Sequence, residues 1–157
     1  MAEESAGEQQ QSLFNIEKVY VKDVSLEVPN APQVFLESGQ PQFEVHLHTD
    51  GKRVNDTLFE VFIKVTLTAK VADKILFLVE ASQAGIFQIR NIAEEDINPV
   101  LGIACPTILF PYARETIADL VARAGFPPIH LAPVNFDALY AARHKKKDGD
   151  SKIEIAH

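Results

Sequence analysis

With 157 residues, 46% of them hydrophobic, the chain suits one compact domain built on one core. Its 15 basic and 22 acidic residues give a net charge of −7, which argues against nucleic acid, whose phosphates demand a basic footprint, and favours solubility and positively charged partners. No run reaches the ~18 apolar residues of a membrane span, the acidic Met1-Ala2-Glu3-Glu4-Ser5 start does not resemble a secretory signal, and the lone Cys105 permits no intrachain disulfide, so a cytoplasmic location without membrane insertion is expected.

Residues 1–13 are rich in Glu, Gln and Ser with little to bury, and are predicted to be disordered. A strand follows over Ile16 to Val28, with Val24, Leu26 and Val28 on one side and Asp23, Ser25 and Glu27 on the other. Pro29, Asn30 and Pro32 end it, because proline removes ladder donors. Gln42 to His48 alternates cleanly, with Phe43, Val45 and Leu47 opposite Glu44, His46 and His48. Asp50-Gly51 reads as a turn, and Lys52 to Thr57 as a polar connector. Leu58 to Ala69 and Ile75 to Ile89 complete four strands with short links, the mark of an antiparallel sheet.

Beyond Ile89 the pattern becomes helical. Asn91 to Ile97 is acidic and reads as a short helix or turn, while Pro106 and Pro111 are acceptable only in a first helical turn. Ala113, Ile117, Leu120, Val121 and Ala124 form one apolar stripe of a long helix. Asp119 and Arg123 pair on its wet side, and Gly125 caps it. Phe126 to Val134 is a proline-rich hydrophobic crossover loop, and Asn135 caps a last helix from Phe136 to His144. The expectation is an α+β fold: a four-stranded antiparallel sheet, a long helix, the crossover loop and a C-terminal helix. Residues 14–144 form a single domain, and residues 145–157 a mobile tail.

Little in the chain suggests an enzyme. The seven glycines form neither phosphate-binding pattern, and no G-x-S-x-G activates a serine, so no cofactor is expected. His46 and His48 share a strand face near Asp50 and resemble part of a zinc site, but the spacing equally serves a solvated polar face and supplies too few ligands. Cys105 lies at a helix start, where a thiolate can be stabilised, yet it has no evident histidine partner and reads as a buried structural thiol. Asp23 and Glu27 lie ~13 Å apart along a strand, too far to act together on one bond, and read as an acidic strip or an ordinary solvated face. Ile75-Leu76-Phe77-Leu78-Val79 is apolar on both sides, so Leu78 beside Glu80 is either a docking patch for a basic partner or part of a core or subunit interface.

Four motifs in order resemble the SecB export-chaperone family. They are Val21-Lys22-Asp23-Val24-Ser25-Leu26-Glu27-Val28-Pro29-Asn30-Ala31-Pro32, Gly85-Ile86-Phe87, Cys105-Pro106-Thr107-Ile108-Leu109-Phe110-Pro111-Tyr112-Ala113-Arg114-Glu115, and Leu131-Ala132-Pro133-Val134-Asn135-Phe136-Asp137-Ala138-Leu139-Tyr140. The likeness spans roughly residues 14–140. It implies a homotetramer, a dimer of dimers, whose apolar grooves accept unfolded precursor proteins and which delivers them to the SecA motor. In the family, an acidic sheet face receives the basic, zinc-binding C-terminal peptide of SecA, and the matching positions here are Asp23, Glu27, Leu78 and Glu80. For the client groove the resemblance suggests Phe35, Phe126, Leu131, Phe136 and Tyr140, although core packing explains each equally well. His144-Lys145-Lys146-Lys147 makes the helix end basic where relatives are often polar or acidic, which puts a second SecA contact in doubt. Two other readings stand beside this one: a SecB-like chaperone dedicated to one partner such as an antitoxin, and a metal-dependent enzyme using His46, His48 and Asp50.

Overall fold

The computed structural model describes residues 11–146 and 150–152. Four long antiparallel strands make the sheet: β1 (Leu13–Glu27), β2 (Gln42–Arg53), β3 (Leu58–Val71) and β4 (Lys74–Arg90). A short β5 (Asp150–Lys152) pairs with β2, and the order across the sheet is β1-β4-β3-β2-β5. The helical half contains α1 (Glu94–Pro99), a π-helical turn at Val100–Ala104, α2 (Cys105–Arg123) and α3 (Phe136–Lys146). Strands first and helices second, the α+β class is the one the pattern predicts.

Alternation decides which face of the sheet is covered. Phe59, Val61, Ile63, Val65, Leu67 and Ala69 on β3 are all buried, as are Val79, Ala81 and Phe87 on β4. Onto this face packs α2, through Leu109, Ala113, Ile117 and Val121, each fully buried. Burying one such aliphatic side chain contributes about 1.5–3 kcal/mol, so this layer dominates the stability of the fold. Gly125 ends α2 at φ +91°, where the Phe126 N–H bonds the Val121 carbonyl at 3.3 Å. Asn135 caps α3 through its Oδ1, which accepts from the Ala138 N–H at 3.1 Å. Arg123 and Asp119 pair at 3.0 Å on the exposed side of α2.

Several local expectations differ from the structure. Asp50-Gly51 is not a turn, since β2 continues to Arg53 and the chain reverses over residues 54–57. Gly51 is there for space: a Cβ on it would lie 3.3 Å from the Val61 side chain and 3.7 Å from Leu101. The tight reversal lies instead at Ala72 and Asp73, both at positive φ, between the paired Val71 and Lys74.

Pro111 sits inside α2 rather than in its first turn, on the exposed side of the helix. The Cys105 N–H bonds back to the Val100 carbonyl, five residues earlier, so the turn before Pro106 is widened and makes room for its ring.

At the N-terminus, residues 1–10 of the segment expected to be disordered lie outside the described residues. Gln11 and Ser12 are tied to Asn91, and Leu13 already belongs to β1. Of the expected mobile tail, Lys145 and Lys146 extend α3 and residues 150–152 form β5, while residues 147–149 and 153–157 lie outside the described residues.

Candidate functional site

The face of the sheet turned away from α2 carries the acidic residues singled out in the sequence. Residues directly opposite each other on neighbouring strands share a face, with Cβ atoms about 4.5–5.5 Å apart. Glu27 stands opposite Leu78, Ser25 opposite Glu80 and Asp23 opposite Ser82. Asp23, Glu27, Leu78 and Glu80 therefore form one patch at the β1–β4 seam. On its other side, β3 places Thr68 opposite Leu78 and Thr66 opposite Glu80. Asp23 and Glu27 are exposed, whereas Leu78 and Glu80 are half-buried.

Electrostatically the patch is uneven. Among the described residues, Asp23 and Glu27 make no ion pair, while Glu80 is met by Lys64, whose Nζ lies 2.8 Å from its Oε1. Farther along the same face, Glu60 on β3 is held by two hydrogen-bond donors, with a third cation near it. It accepts from the Tyr20 hydroxyl and from Lys22 Nζ at 2.7 Å, with Lys52 Nζ at 4.0 Å. The Lys22 and Tyr20 hydrogen bonds hold the Glu60 carboxyl below its usual range. Burial, followed by the bond to Glu60, pushes the Tyr20 phenol up to about 12.

Tyr20, Lys22, Glu60 and Lys64 were not legible as a group from sequence. The available signal was only that each lies on the polar side of a strand, and the β1–β4–β3 register is what brings them together.

The five groove candidates separate into three places. Phe35, in the 3-10 turn Gln33–Leu36, is half exposed and stacks on Phe126 with ring centroids 5.1 Å apart. Phe126 in turn meets the buried Phe77, also at 5.1 Å, so an exposed aromatic surface runs into the core here. Phe77 lies opposite Ala69, which pairs with Phe43 near the start of β2.

Tyr140 belongs to the other end of β2. It lines a cleft of about 240 Å³ with Gly51, Asn98, Leu101 and Arg143. There it lies over Gly102, where a Cβ would come within 2.5 Å of its ring. Leu131 and Phe136 are buried core residues, Phe136 edge-on to Phe110 at 5.9 Å. Of the five, only Phe35, Phe126 and Tyr140 present surface in this chain.

The candidates for chemistry do not converge. His46 Nε2 lies 3.0 Å from Glu44 Oε1, the His48 ring is tilted against Phe62, and Asp50 accepts from the Gly51 N–H at 2.8 Å. Among the described residues, no group of three or more His, Cys, Asp or Glu is disposed to hold a metal ion. Cys105 is fully buried, and desolvation pushes its thiol up to about 12, which keeps it protonated and unreactive at neutral pH. Among the described residues, no helix is long and apolar enough to cross a membrane.

Comparison with known proteins adds a second, independent line. Residues 7–147 match the family model described as preprotein translocase subunit SecB. The protein-export protein SecB of Chromobacterium violaceum is 62% identical over 130 residues, covering 83% of this chain and 87% of its own. The protein-export protein SecB of Methylobacillus flagellatus is 55% identical over 148 residues, with 94% of both chains covered. Among solved structures, the Mycobacterium tuberculosis SecB-like chaperone Rv1957, in complex with a peptide from the HigA1 antitoxin, superposes with a TM-score of 0.65 at 19% identity. That match covers 77% of this chain and 90% of the other, and speaks for the fold.

Proposed function

Because the chain belongs to the SecB family of protein-export chaperones, we propose that it holds unfolded secretory precursors in the cytoplasm and hands them to the SecA motor at the Asp23–Glu27–Leu78–Glu80 patch. This is binding work, and the family is one of chaperones rather than enzymes. Stretched, apolar client segments fill exposed aromatic surface such as Phe35 with Phe126, which offers contact area without demanding a sequence. One segment on one surface binds weakly. In a homotetramer, a dimer of dimers, a long unfolded chain meets several such surfaces, and each further contact is made at high effective concentration. A folded client hides these segments, so slow folders are selected.

The observation that carries the docking reading is the state of the acids. Asp23 and Glu27 are exposed on one sheet face with no internal counter-ion among the described residues, and Leu78, opposite Glu27 and two residues from Glu80 on the same face, is an apolar anchor. Such a patch attracts a basic peptide at long range and fixes it on contact. Release then follows when SecA engages the patch and the precursor together.

The test is calorimetric titration of the protein with SecA, alongside refolding of a denatured precursor. Asp23→Lys or Glu80→Lys weakens SecA binding about tenfold or more while leaving precursor holding intact. Unchanged SecA affinity in both variants rejects the patch. A protein that slows the aggregation or refolding of no denatured exported precursor rejects the holding function.

A further inference from the structure

We propose that Lys64 is an internal competitor for the acidic patch, occupying Glu80 until a partner's cation displaces it, and that it thereby sets the patch's affinity. The inference rests on the docking reading above and names what tunes that site.

Three observations carry it. First, Lys64 stands opposite Ser82 on the neighbouring strand and reaches diagonally to Glu80, with Nζ 2.8 Å from Oε1. This is the only ion pair that Glu80 makes among the described residues. Second, its origin is fixed. The flanking Ile63 and Val65 are fully buried, so β3 cannot slide to withdraw the lysine. Third, the pair is open to water, with side-chain exposures of 45% and 35%, and so it can exchange with an incoming cation. Among the described residues, Asp23 and Glu27 carry no such competitor.

The consequence is a division of labour. The two bare acids draw a basic peptide in, and binding is completed only when one of the peptide's cations takes the place of the Lys64 ammonium on Glu80. A lysine in that place makes an even exchange. A guanidinium gains, because its planar fork grips a carboxylate through two bonds. The ligand class that best fits is therefore a basic peptide with an arginine facing Glu80.

The experiment titrates the full-length protein with a zinc-loaded synthetic peptide of the SecA C-terminus at low ionic strength. Lys64→Gln is expected to tighten binding about two- to fivefold. Lys64→Arg keeps the charge but grips Glu80 harder, and is expected to weaken binding about twofold. In a Glu80→Gln background the Lys64→Gln gain falls to less than half. An unchanged affinity for Lys64→Gln, or a gain undiminished in the Glu80→Gln background, overturns the proposal. Asp23→Lys in the same titration separates the two claims. If it weakens binding while the Lys64 variants do nothing, only the competitor role fails; if it too has no effect, the docking site itself is wrong.

Discussion

Glu60 and the patch acids lie on the same face of the same sheet, yet they have opposite fates. Glu60 has a side chain only 12% exposed and is met by Tyr20, Lys22 and Lys52. Among the described residues, Asp23 and Glu27 are exposed with no internal cation, and Glu80, at 35%, shares one lysine. The bulge in β1 between Val21 and Asp23 separates these two environments. It adds Lys22 to the strand, which reaches Glu60, and leaves Asp23 facing the neutral Ser82. Residue type does not distinguish the compensated Glu60 from the open acids of the patch. The number of donors and cations converging on each does.

The sharpest way to break the contrast is to remove the compensated acid. Glu60→Gln leaves the Tyr20 hydroxyl and the Lys22 ammonium without their charged partner. It is expected to cost about 1–3 kcal/mol in urea unfolding, while SecA affinity stays as it was. A Glu60→Gln protein of normal stability and impaired docking would reverse the roles assigned to the two regions.

Alkaline pH probes the same group more gently. The folded state holds the Tyr20 proton more tightly than the unfolded chain, in which a tyrosine loses it near 10.0. The contribution to stability is complete below pH 10 and fades as pH rises towards about 12. Glu60 gives the opposite sign at the acid end. Its carboxyl is held below the ordinary value of 4.5, so its contribution is present above pH 4.5 and is lost as pH falls through the lowered value. Tyr20→Phe should flatten the alkaline fall in a pH series of urea midpoints and also shrink the acid limb, leaving there the part that Lys22 supplies. An identical alkaline limb in the variant would mean that other groups cause it.

Much of this was visible before any coordinates, because strand alternation and helix periodicity are local signals. Phe59 to Leu67 on β3 and Ala113 to Val121 on α2 faced the core as their spacing required. Asp23 and Glu27 fell on one face for the same reason. What local patterns do not encode is register. Lys64 and Glu80 are ordinary polar-side residues until β3 is aligned with β4, and the β1 bulge leaves no mark in the sequence that a regular strand would lack. Local rules also lost where packing overrode them. Asp50-Gly51 has turn chemistry but serves the close approach of the Val61 side chain, and Pro106 follows a widened turn while Pro111 lies inside the helix on its exposed side. Leu131 and Phe136 sit in an apolar segment whose composition suits a groove as well as a core, and burial assigned both to the core.

The smallest expected effect on stability is at the other pole of the comparison. Glu27 stands opposite Leu78, is exposed, and has no cation to lose among the described residues. Glu27→Gln should therefore leave the urea midpoint within about 0.5 kcal/mol of the parent. Its effect belongs in binding: about two- to threefold weaker SecA affinity with a shallower dependence on salt, since a single exposed charge contributes modestly and is screened. A fall of more than about 1 kcal/mol in stability would mean that Glu27 is already paired in the assembled particle. In that event the acid would be structural like Glu60, and the docking surface would reduce to Asp23 and Glu80.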